Sequence, residues 1–170
     1  MPYPEHFLRG IINDQFLVSG LPAGNLFSFQ HTRPEREDNF KECSVTWRDN
    51  SKSVELLLRE KTEKKEPTYK VGIGVFSTDE LNRMKRKSHC REVLMFERRD
   101  INGNPYHGNI LIHGSVDKKL SNEIASSIAL NCFVDIIPPT AVIKRDGIMF
   151  VIKKYVFVPF RRIFRRTQSY

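Results

Sequence analysis

At 170 residues, with 39% apolar and 28% charged side chains, the chain has the size and balance of one globular domain, which excludes the disordered and low-complexity classes. The formal charge is +8, and the three cysteines, Cys43, Cys90 and Cys132, form no C-x-x-C pair, so neither a disulfide scaffold nor a metal site is expected. The longest mostly apolar stretch, 148–164, contains two lysines and a Pro-Phe-Arg-Arg step and falls short of the roughly 18 uncharged residues a membrane span needs. The start, Met1-Pro2-Tyr3-Pro4-Glu5-His6, has no basic segment followed by an apolar core, so cytoplasmic residence with reduced thiols is the expectation.

Residues 7–12 and 16–19 read as short extended pieces, followed by a loop punctuated by Gly20, Pro22, Gly24 and Pro34. The polar run 31–38 reads as a mobile loop. Cys43-Ser44-Val45-Thr46-Trp47 alternates and is rich in strand formers. Asp49-Asn50-Ser51 then offers caps for a helix with Val54, Leu57 and Leu58 on one side, ending in a charged linker, 60–67. Residues 69–76 form the next strand, with Gly72 and Gly74 opposite Val71, Ile73 and Val75, a glycine side that lets another backbone approach. Ser77-Thr78-Asp79-Glu80 matches a capping box, so a helix begins there, buries Leu81 and Met84, and ends in Lys85-Arg86-Lys87, which suit the negative end of the helix dipole.

The Asn102-Gly103 step predicts a hairpin between 91–98 and 106–113. The longest helix is expected over 117–133, with Leu120, Ile124, Ile128 and Asn131 on its stripe. Asp146-Gly147 predicts a second hairpin between 141–145 and 148–158, stopped by Pro159. Together these give an α+β fold: a single domain, 1–158, with a mixed, mainly antiparallel sheet and about three helices, followed by a basic aromatic tail, 159–170.

The electrostatic signal sits at the end. Lys153, Lys154, Arg161, Arg162, Arg165 and Arg166 supply +6 of the formal +8 with no acid among them, which leaves +2 for everything before Lys153. Helical spacing after Pro159 places Phe160, Ile163 and Phe164 on one stripe and the four arginines around it. Arginines on phosphates with Phe160 and Phe164 stacking on bases would make a nucleic-acid contact; the same stripe suits a groove on an acidic protein partner, an anionic membrane surface, or the domain's own core.

Two weaker patterns lie upstream. Alternation along 106–113 puts His107, Asn109, Leu111 and His113 on one side of a strand, with Ile110 and Ile112 on the other. Ser115, Lys118 and Lys119 follow at a helix start, where paired positive charge opposes the dipole unless an anion neutralises it, so they form a candidate anion site. The bland alternative is that Asp117 offsets the dipole and the lysines are solvated. His107 and His113 are the acid-base candidates of an alternative reading, a small enzyme acting on a phosphorylated or nucleotide substrate. His89-Cys90 among Arg86, Lys87 and Arg91 suggests an activated thiol but has no orienting partner. Arg9-Gly10 with a downstream histidine imitates an ADP-ribose-handling pair, a combination too common to weigh.

The order Phe27-Ser28, then Ser44-Val45-Thr46-Trp47, then Pro105-Tyr106-His107-Gly108-Asn109-Ile110 resembles small uncharacterised bacterial proteins that carry S-V-N-W and S-H-A-x-I segments. The likeness covers 27–134, departs from that pattern at Thr46 and Gly108, and singles out Trp47 and His107. It implies a bacterial-type cytoplasmic accessory protein. The leading expectation is therefore a non-enzymatic basic subunit of a larger nucleic-acid-handling assembly, with bacterial antiviral defence as one setting. Its contact to nucleic acid or an acidic partner would run through Lys153, Lys154, Phe160, Arg161, Arg162, Phe164, Arg165 and Arg166, with no cofactor. A pure protein-interaction subunit is the third reading.

Overall fold

The computed structural model describes residues 4–31, 40–87, 95–101, 103–140, 142–144 and 147–149. Its main sheet is built from β1 (His6–Ile11), β4 (Gln30–His31), β5 (Phe40–Trp47), β6 (Gly72–Ser77), β7 (Met95–Arg98), β8 (His107–His113) and β9 (Phe133–Ile137). The order is β7-β8-β5-β1-β6-β9, with β4 beside β5, and every described pairing is antiparallel. Two hairpins lie outside it, β2 (Leu17–Val18) with β3 (Leu21–Pro22), and β10 (Val142–Lys144) with β11 (Gly147–Met149). The fold is α+β with a mainly antiparallel sheet.

Strand direction explains where the helices go. β5 and β6 both oppose β1, so they run parallel to each other, and parallel strands require a crossover. Helix α1 (Ser51–Arg59) supplies it. The same logic makes α2 (Thr78–Lys87) the crossover from β6 to β7, and α3 (Lys118–Asn131) the one from β8 to β9. Helices α2 and α3 share one face of the sheet, where Leu81, Ile124 and Ile128 join a core built on Phe7, Phe27, Trp47 and Phe76. Phe7 stacks on Phe76 with centroids 5.5 Å apart, and Phe27 meets Phe76 edge-on at 4.8 Å. Helix α1 lies on the other face, where Val54 and Leu57 close a smaller cluster over Leu8, Ile73, Val75 and Ile137.

Local chemistry sets the element ends. The Asn50 side chain accepts from the Lys52 amide at 2.9 Å to start α1, and Ser77 Oγ accepts from the Glu80 amide at 3.2 Å at the start of α2. The β2–β3 turn uses Ser19 at φ 54° and Gly20 at φ 79°, the paired left-handed conformation of a type I′ turn. Gly72 acts as expected, since a Cβ on it would stand 2.3 Å from the Ile137 carbonyl of β9; Gly74 instead makes room for a side chain, since a Cβ on it would stand 2.6 Å from the Phe76 ring.

Four expectations need correction. Phe16 closes a 3-10 turn, Asp14–Phe16, and the extended piece begins only at Leu17. Residues 60–68 are a folded turn, with the Thr62 amide on the Glu66 carbonyl at 2.8 Å and the Thr68 amide on the Glu60 carbonyl at 3.0 Å. Phe133 begins β9 and is not the last turn of the long helix. The buried stripe of α3 is Ser121, Ile124, Ala125, Ile128 and Ala129, leaving Leu120 and Asn131 outward. The helix also lies close on the 3-10 turn Gly24–Phe27, where a Cβ on Gly24 would come within 2.4 Å of Ser126 Oγ. In the last hairpin, Gly147 already pairs with Lys144. Apart from His31, the expected loop 31–38 lies outside the described residues, as do His89 and Cys90.

Candidate functional site

β8 carries most of the described side chains with site chemistry. Ile110 and Ile112 point into the main core, while His107, Asn109, Leu111 and His113 take the opposite face. His107 and His113 are six residues apart on this strand, about 20 Å at strand rise, so they do not converge on one reacting bond. Each imidazole has its own local partner. His107 Nδ1 lies 2.8 Å from the Arg99 carbonyl, an oxygen that only accepts, so this nitrogen carries the proton. His113 Nδ1 accepts from the Ser115 amide at 3.3 Å and lies 2.6 Å from Ser115 Oγ, with its ring edge against Phe40.

The start of α3 is occupied by the chain's own acid. The Asp117 carboxylate accepts from the Leu120 amide at 2.7 Å, Ser115 turns back to His113, and Lys118 and Lys119 are exposed. The Lys41 ammonium donates to the Val116 carbonyl of the same loop. Ser115, Lys118 and Lys119 are thus brought together along the chain, with Asp117 at the amide an incoming anion would take.

A groove of about 540 Å³ opens between α1 and the turn before β8, lined among others by Ser44, Thr46, Tyr69, Asn104 and His107. Its floor is a split in the sheet. The β1–β5 register runs only through Phe7–Trp47 and Leu8–Thr46, after which the Arg9 guanidinium bridges the gap by donating to the carbonyls of Ser44 and Leu26. Arg9 is thereby a structural group. Tyr69 seals the far wall, its ring resting on Gly10 and its hydroxyl donating to Glu60 at 2.9 Å. Burial, and then the Glu60 carboxylate, hold this phenol protonated well above the usual tyrosine range.

No family model, curated protein or solved structure matches this chain. Among the described residues no helix is long and apolar enough to cross a membrane. The tail residues Lys153, Lys154, Phe160, Arg161, Arg162, Phe164, Arg165 and Arg166 lie outside the described residues.

One further polar group spans β5, β8 and β7. Asn109 Nδ2 donates to Glu42 Oε2 at 3.1 Å and reaches Glu97 Oε2 at 3.5 Å. The amide oxygen, Oδ1, is buried and has no donor. Three strands are needed to assemble this row, because Asn109 pairs with Ser44 on β5 and with Glu97 on β7, and Glu42 stands one diagonal step away. Only the alternation of β8 hinted at it.

Proposed function

We propose that the protein is a non-enzymatic accessory subunit that holds nucleic acid through residues 153–166, as part of a larger nucleic-acid-handling assembly. The observation that carries this reading is the contrast in charge. The last eighteen residues hold six cations and no acid, whereas cations of the folded body sit beside acids: Arg59 by Glu55, Lys70 by Glu66 at 2.9 Å, Arg83 by Glu80 and Arg98 by Asp49. A polyanion gains little from a surface whose charges are locally matched, and much from a segment that releases one counterion per phosphate contacted. The separation of His107 from His113 supports the non-enzymatic side of the reading.

The test is fluorescence anisotropy of labelled single- and double-stranded DNA and RNA across a salt series, with the whole chain and with a chain ending at Val158. Four arginines on four phosphates of a duplex give a slope of about −3.6 in log affinity against log salt. Each Arg→Gln change among Arg161, Arg162, Arg165 and Arg166 then lowers that slope by about one. Affinity that ignores salt, or survives removal of the tail, rejects the proposal.

A further inference from the structure

We propose that the groove between α1 and the turn before β8 is a binding site for a single neutral nucleobase, carried by a free nucleoside or by an unpaired nucleotide of a strand. The inference goes beyond the reading above and uses none of the tail residues that carry it.

Size and shape admit such a ligand. The groove holds about 540 Å³, within the range of roughly 300–1,000 Å³ typical of small-molecule sites. Helix α1 lines it with Leu56, and the turn lines it with Ile101, which is 46% exposed and so open to contact. These apolar walls and the Tyr69 ring suit the faces of a flat ring. Ser44 and Thr46 share the groove side of β5, and their short side chains leave the floor deep.

The floor offers neutral groups of both kinds. Ser44 is exposed, with a hydroxyl that can donate or accept. Thr46 Oγ1 accepts from Asn104 Nδ2 at 3.2 Å, which leaves its own proton to donate. His107 is the cross-strand partner of Thr46 and carries its proton on Nδ1, towards the Arg99 carbonyl, so its Nε2 is an acceptor.

Charge decides the ligand class. Arg9 is committed to the carbonyls of Ser44 and Leu26, Arg59 to Glu55, and Glu60 accepts from Tyr69. Among the described lining residues a phosphate or carboxylate therefore finds no uncommitted cation, and a cationic ligand finds no uncommitted acid. An added peptide strand is blocked by Arg9, whose guanidinium crosses the split between β1 and β5 where that strand would enter. What fits is a neutral, flat ligand with donors and acceptors along its edge, which describes a nucleobase.

The experiment is an NMR titration of the full, isotope-labelled chain with adenosine, guanosine, cytidine and uridine in about 0.5 M salt, where the charge of the tail is screened. The backbone amide signals of Ser44, Thr46 and His107 are expected to shift saturably with at least one nucleoside. Ser44→Leu, at an exposed position, fills the floor and weakens that binding about tenfold or more. Absence of a saturable shift at these three residues of the wild type overturns the proposal, whether or not the variant folds. A Ser44→Leu chain that binds as tightly as wild type also overturns it, and so does inorganic phosphate moving the same signals, which would make the groove an anion site. A second arm uses the single-stranded tetranucleotide of the same base: tighter binding assigns the groove to a strand, equal binding to free nucleosides, and both support the site. Uncharged nucleosides give the tail no phosphate to hold, so failure here leaves the nucleic-acid reading standing, and failure of that reading leaves this one standing.

Discussion

On the side of α2 and α3 the sheet presents Phe7, Phe76 and Trp47 with Phe27 packed between, ring centroids 4.8 to 6.3 Å apart, all sealed from solvent. On the other side, over β8, it presents His107, Asn109, Leu111 and His113, with Glu42 and Glu97 on the neighbouring strands. The difference follows from the crossovers. Two of the three described helices cross on the aromatic side, and the third clusters with β1, β6 and β9. The aromatic side carries the stability, while on the polar side of β8 Asn109 and Leu111 are buried, His107 is half-buried and His113 is exposed.

The largest effect expected from that contrast is at Phe76, which touches Phe7, Phe27 and Phe133. Phe76→Ala should lower unfolding free energy by about 3–5 kcal/mol in denaturant titration, and a loss below about 1 kcal/mol would break the comparison. Gly108→Ala comes next. A Cβ there would stand 2.1 Å from Trp47 Nε1 and 2.7 Å from the Glu97 carbonyl, so about 1–3 kcal/mol should be lost, with a change in Trp47 fluorescence. Its neighbour Asn109 faces the other way, which makes the pair a sharp test of the two sides. Asp117→Ala removes the cap of α3 and should cost about 1 kcal/mol in thermal unfolding.

Changing Glu42 and Glu97 together to Gln should move stability by about 0.5 kcal/mol or less, since partly exposed polar groups are exchanged for neutral isosteres. The smallest effect at neutral pH belongs to Cys132. Burial, and then the nearby Glu80 carboxylate, push its thiol from 9.0 up to about 12. As pH rises through that window the unfolded chain gives up this proton while the folded chain keeps it, so stability falls with rising pH. Chemical denaturation of Cys132→Ala between pH 8 and 11 should show a flatter decline than the wild type.

Short-range chemistry was enough to determine much of this protein from its sequence. The Asn50 cap, the Ser77 side-chain cap, the Asn-Gly hairpin and the period-two alternation of β5 and β8 each act within a few residues, so composition and spacing reveal them. The concentration of positive charge in 153–166 is also a property of sequence alone. The true stripe of α3 was hidden, because three of its five buried residues, Ser121, Ala125 and Ala129, are small, which no periodicity of large apolar residues reports. Phe133 was read into the helix because an edge strand that follows one directly has no turn signal of its own. Tertiary structure alone brought Glu42, Asn109 and Glu97 together, by register across three strands, whereas the six-residue separation of the two histidines on β8 and the Asp117 cap of α3 are local features. Contacts between residues dozens of positions apart depend on which strands neighbour one another, and that order is set by burial of the whole apolar surface at once.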